Sequence, residues 1–136
     1  MTNQLIRNLS VALLAEASMY AQGSQKLTVQ IPFGFHAGTS VLPSGEYTVD
    51  TDAGPGVVKL RSADAKSSVM ILSIATQTMA TPTTGKLVFN KYGDEYFLSQ
   101  IWKAGSNRGN ELRKSRREAE VAASTRRGVQ SILASQ

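Results

Sequence analysis

The chain contains no cysteine, one histidine, one tryptophan and only four prolines in 136 residues. The missing thiols exclude a disulfide framework, a thiolate nucleophile and any cysteine-based zinc or iron–sulfur centre. A lone imidazole, His36, cannot build a histidine metal site, and no Gly-x-Ser-x-Gly elbow is present for it to serve. No apolar run approaches the roughly 20 residues that a membrane-spanning helix needs. Charged residues are sparse at 18%, against 41% hydrophobic, which is too apolar a balance for a wholly disordered chain. A chain of this length suits one domain and buries about two-thirds of its unfolded surface.

What charge there is sits unevenly. The formal net charge is +5. Residues 22–107 carry seven Lys/Arg against six Asp/Glu, and residues 108–136 carry seven against three, so the body is +1 and the C-terminal segment +4. A near-neutral body argues against a nucleic-acid-binding domain, whose footprint would be a basic face on the fold itself.

Residues 1–21 read as a signal peptide or an N-terminal helix. One early cation (Arg7), a short apolar stretch at residues 9–15 and small residues before Ala17 or Ala21 follow the order of an export signal. Leu5, Ile6, Leu9, Leu13 and Tyr20 also stand near helical spacing, which fits a retained amphipathic helix. An export signal without cysteines fits a bacterial protein that is secreted, periplasmic or at the cell surface.

Residues 22–107 read as an antiparallel β domain. Leu27, Val29, Ile31 and Phe33 alternate with polar residues, the period of a half-buried strand. Turn chemistry at residues 42–45 leads to a strand at 46–50 with Tyr47 and Val49 inward. After a Gly/Pro turn, strands are predicted at residues 57–61 and 68–75. The second of these is apolar from 69 to 75 and is expected to be central and covered on both faces. Residues 86–92 and 95–103 flank Gly93-Asp94, a Gly-first pair that predicts a type II′ hairpin. On its second arm Tyr96, Leu98 and Trp102 are expected on one face, with Phe97 and Ile101 on the other. Strands at such spacing predict a single antiparallel β-sandwich or small partly open barrel of about six or seven strands. Residues 108–136 read as a basic helical segment or tail after a loop at 105–110. Val121, Thr125, Val129, Ile132 and Leu133 would share one helical face.

Several blocks carry a family resemblance: Ile31-Pro32-Phe33-Gly34-Phe35, residues 42–49, residues 85–89 followed by 92–98, and Gly109-Asn110-Glu111-Leu112 with Ser115 and Glu118 after it. In these the chain resembles a group of small secreted β-rich proteins of acidobacteria and related soil bacteria. The resemblance implies an exported bacterial protein and carries no chemistry with it. Glu16, an acid beside the apolar stretch of the leader, departs from that pattern.

No constellation for catalysis, cofactor or metal emerges. Asp50, Asp52 and Gly54 begin like a calcium loop, but no acid closes it. Gly85-Lys86 lacks the rest of a phosphate loop. Asp94 and Glu95 are adjacent and would point to opposite faces of a strand. The aromatic set reads as core, with Lys91, Tyr92, Tyr96 and Trp102 as its most exposed neighbours.

The expectation is therefore a non-enzymatic structural or interaction protein of the cell envelope, self-assembling through strand edges or strand donation into a polymer. Leu27, Val29, Ile31 and Phe33 are the candidate strand-pairing residues. Its partner would be another copy or another envelope protein. An anionic surface could be held by Arg113, Lys114, Arg116, Arg117, Arg126 and Arg127, whereas nucleic acid is disfavoured. The alternative is a small barrel that binds an apolar ligand or lipid.

Overall fold

Period-two alternation puts Val29 and Ile31 of β1 (Lys26–Ile31) into the interior at 0% exposure, and the same logic builds most of the molecule. The computed structural model describes residues 26–135. The predicted leader, residues 1–21, lies outside the described residues.

After β1 come β2 (Phe35–Ala37), β3 (Ser40–Leu42), β4 (Gly45–Gly54), β5 (Val57–Ser62) and β6 (Ser68–Gln77). Then follow β7 (Lys86–Tyr92), β8 (Glu95–Trp102), β9 (Arg108–Leu112), a short helix α1 (Arg116–Ala122) and β10 (Arg127–Leu133). The fold is mainly β, an open mixed sheet whose strands run β1-β4-β5-β6-β9-β8-β2-β3, with β7 paired to both β8 and β10. Among the described residues all pairings are antiparallel except the single parallel contact of β2 with β8 at His36–Phe97. One isolated bridge, Val29–Ala134, and a hydrogen bond from Ser135 N–H to the Thr28 carbonyl (2.7 Å) bring the end of the chain to β1.

Among the described residues the sheet has ten strands, more than the six or seven expected. Two extra strands, β2 and β3, are three residues each, too short for a periodic signal. Two more come from the segment expected as a helix or tail. From residue 108 to residue 133 the chain is instead built into the sheet through β9 and β10, with helix only at Arg116–Ala122. Gly128 and the β-branched Val129 and Ile132 disfavour helix there, and pairing with the whole length of β7 supplies the alternative.

Hairpin β7–β8 turns on Gly93, whose φ of 61° is the positive value a Gly-first turn requires, while Asp94 stays out of that region. A bulge then resets the faces of β8. Val88 pairs with Gln100 but Phe89 pairs with Leu98, so Ser99 is the extra residue. Leu98 and Ile101 consequently both enter the core, and Phe97 and Trp102 share the opposite face, which corrects the expected split.

A chain of rings fills the centre. Tyr47 meets Phe35 edge-on (5.3 Å), Phe35 meets Phe89 (5.5 Å), Phe89 meets Phe33 (5.0 Å), and Phe33 stacks on Tyr96 (3.7 Å). Tyr92 and Trp102, expected at the surface, are buried at 2% and 5%. Helix α1 covers Tyr92, and Gly109 of β9 lies against the indole of Trp102.

Tyr47 also closes the turn before β4. Its hydroxyl donates to the Pro43 carbonyl four residues upstream at 2.7 Å, a tyrosine corner that ties the Leu42-Pro43-Ser44-Gly45 turn to the core. Burial, helped by Asp64, raises the Tyr47 phenol above its ordinary value, and burial with the bond to Glu118 raises Tyr92. Because both folded values lie above the unfolded one, their contribution is full below about pH 10 and is lost as pH rises through the folded values. Alkaline unfolding should therefore begin above about pH 10, and Tyr47→Phe should flatten it. At neutral pH the same substitution should cost about 1–2 kcal/mol in urea titration; an unchanged midpoint and alkaline limb would show that the corner bond contributes nothing.

Candidate interaction surfaces

Helix α1 exists because Ser115 caps it and the sheet receives it. Ser115 has extended dihedrals (φ −72°, ψ 165°), and its hydroxyl accepts from the Glu118 N–H at 3.1 Å. Seven residues are too few to hold a helix alone, so tertiary contacts must hold it. Val121 packs on Tyr92 and Phe97. Glu118 turns into the sheet, where one carboxylate oxygen accepts from Asn90 Nδ2 (2.9 Å) and from the Tyr92 hydroxyl (3.0 Å). At 4% exposure this carboxylate replaces water with two protein donors.

Beside it, Arg117 clamps Glu95. Its Nε reaches Oε1 at 3.3 Å, and its Nη2 reaches Oε1 and Oε2 at 3.0 and 3.1 Å. Glu95 Oε1 lies 3.5 Å from His36 Nε2, and the His36 ring stacks on Phe97 at 4.2 Å. Here a histidine, a carboxylate and a guanidinium converge. Both oxygens of Glu95 accept from Arg117, so the geometry is that of a clamp joining α1 to β8 and β2. No group of three metal-ligating side chains occurs among the described residues.

The six candidate polyanion-binding cations are all exposed but not equivalent. Arg117 is held by Glu95, and Arg116 lies 3.5 Å from Glu120 one helical turn on. Arg113 borders a surface depression next to Leu72 and Ile74, with Lys114 one residue further on. Arg126 stands just before β10, and Arg127 opens it opposite Tyr92. Of the candidate strand-pairing residues, Leu27, Val29 and Ile31 lie on the inner side of β1, and Phe33 follows just beyond its end. Val29 and Ile31 are buried, while Leu27 and Phe33 are half-buried against the core. β1 pairs β4 over its whole length, from Lys26–Asp50 to Ile31–Gly45.

One surface was missed from the sequence. The apolar run of β6 links β5, which pairs residues 68–72, to β9, which pairs residues 73–77, but only its Val69 and Ile71 face reaches the core. Met70, Leu72 and Ile74 project outward and are 64%, 78% and 45% exposed, so the expected cover on both faces is absent among the described residues. A run without alternation cannot tell a strand covered twice from one covered once. No described helix is long and apolar enough to cross a membrane. No family model, curated protein or solved structure matches the chain.

Proposed function

We propose that the chain is a non-enzymatic, exported interaction protein of the bacterial envelope that associates with further copies of itself through strand edges. In this reading β1, β4, β5, β6, β9, β8, β7 and β10 follow one another around a partly open barrel, with its seam between β10 and β1. The observation that carries it is the edge of β10. This strand is exposed along almost its whole length and pairs β7 on one side; on the other, among the described residues, the chain joins β1 past the strand's end, through the Val29–Ala134 bridge and the Ser135–Thr28 hydrogen bond. Unpaired N–H and C=O groups on such an edge accept an added strand through main-chain hydrogen bonds. The alternative, a barrel around an apolar ligand, has less support because the aromatic rings already occupy the interior.

Val129 and Leu133 project from β10 at 61% and 62% exposure, so replacing them disturbs no core contact. Lysine there blunts an edge. The full chain should sediment as species larger than a monomer, and Val129→Lys/Leu133→Lys should sediment as a monomer with an unchanged far-UV spectrum. A monomeric parent, or a variant that assembles like the parent, would overturn the reading.

A further inference from the structure

We infer that the outer face of β5, β6 and β9 docks onto an anionic lipid surface. This goes beyond edge association, since it uses a sheet face and another partner. Met70, Leu72 and Ile74 form an aliphatic stripe on a strand that pairs β5 through residues 68–72 and β9 through residues 73–77, and half-buried Val57 extends it opposite Leu72. A contiguous exposed apolar patch of this kind marks an interaction site more often than scattered exposure does.

Cations border the stripe. Lys59 stands opposite Met70 and Arg61 opposite Ser68, and Lys26 follows in the same row through Asp50. At about 4.8 Å per strand, Lys59 is one strand from the stripe and Lys26 three. Lys26, Lys59 and Arg61 line a depression of about 290 Å³, and Arg113 shares a second, of about 330 Å³, with Leu72 and Ile74. Three carboxylates share the face: Glu46 and Asp50 on β4, and Glu111 opposite Ile74. None of the four cations is in an ion pair among the described residues.

Charge complementarity selects the occupant. A second copy laid face to face would bury the cations of both chains in one interface, whereas on a bilayer each can stay at the wet boundary and meet a phosphate. Nucleic acid would find no aromatic ring on the stripe for base stacking. A bilayer with anionic headgroups takes both features at once: the aliphatic side chains enter the interface while the cationic stems lie along it and their heads meet phosphate.

Full-length chain would be floated with vesicles of phosphatidylglycerol and phosphatidylcholine in equal parts, and with phosphatidylcholine alone. Binding should require phosphatidylglycerol and weaken at high salt. Lys59→Glu/Arg61→Glu should weaken it by about tenfold or more. Met70→Gln/Leu72→Gln should weaken it about fivefold or more, with the far-UV spectrum unchanged. Three results would overturn the inference: no binding by the parent, equal binding to both vesicles, or face variants that bind like the parent. Loss on Arg126→Glu/Arg127→Glu while the face variants bind normally would overturn it too, by moving the affinity to the C-terminal segment. So would a vesicle-independent fall in sedimenting mass on Met70→Gln/Leu72→Gln, which would mean that a second copy covers the stripe.

Discussion

Gly109→Ala should destabilise the fold by about 3 kcal/mol or more, lowering the melting temperature by about 10 °C. A Cβ at this position would lie 2.6 Å from Trp102 Cε3, 2.8 Å from Cζ3 and 2.7 Å from the Ile101 carbonyl oxygen. None of these is the free end of a flexible side chain. Gly109 pairs with Trp102 on β8 and with Thr76 on β6, so β9 cannot back away from one neighbour without leaving the other. Either the indole swings out, exposing about 150–250 Å² of aromatic surface, or β9 parts from the sheet. The chain has a single tryptophan, so its emission reports the outcome directly and should shift to the red. In a Trp102→Val background the same glycine substitution should cost distinctly less, a coupling that a double-mutant cycle measures. Equal costs in both backgrounds would place the strain on the Ile101 carbonyl alone and refute the account of a glycine kept for the indole.

That glycine marks where the sequence stopped being legible. Locally, Arg108-Gly109-Asn110 reads as a loop, and only the partner strand, reached seven residues back through the 103–107 turn, shows why a side chain is forbidden. Where the signal is local, the reading held: the alternation of β1, the inward Tyr47 and Val49 of β4 and the Gly93 hairpin are all present. β10 gave no such signal, because of its seven residues only Ile132 packs on the core and the rest are polar, glycine or exposed. The face pattern of β8 failed for another reason: counting alternate residues assumes an uninterrupted ladder, and the bulge at Ser99 shifts the count by one. The α1 contacts join residues 22 to 28 apart, beyond any local pattern. Their one local trace is Ser115-x-x-Glu118, the spacing of a capping box. Here the glutamate leaves the cap and enters the sheet.

Glu118→Ala is accordingly expected to cost about 3 kcal/mol, because it strands two buried donors at once. Asn90 Nδ2 and the Tyr92 hydroxyl share a single acceptor, Glu118 Oε2, and Asn90 and Tyr92 are themselves 7% and 2% exposed. Glu118→Gln keeps an oxygen at that point and should cost about 1 kcal/mol or less, which separates the loss of hydrogen bonding from the loss of charge. Removing all three polar groups together, as Asn90→Leu/Tyr92→Phe/Glu118→Met, should recover most of the stability lost in Glu118→Ala, since nothing is then left buried and unpaired. Urea midpoints of the four proteins order these effects; a triple variant as unstable as Glu118→Ala would show that the helix is held by Val121 packing and not by the carboxylate. The damage should also be directional. Helix α1 lies between β9 and β10 in the chain, so freeing it loosens the segment leading into β10 while β1, β4 and β5 keep their pairing. Hydrogen exchange in Glu118→Ala should therefore accelerate across residues 116–133 first, and the β10 edge on which self-association depends would be lost before the rest of the sheet.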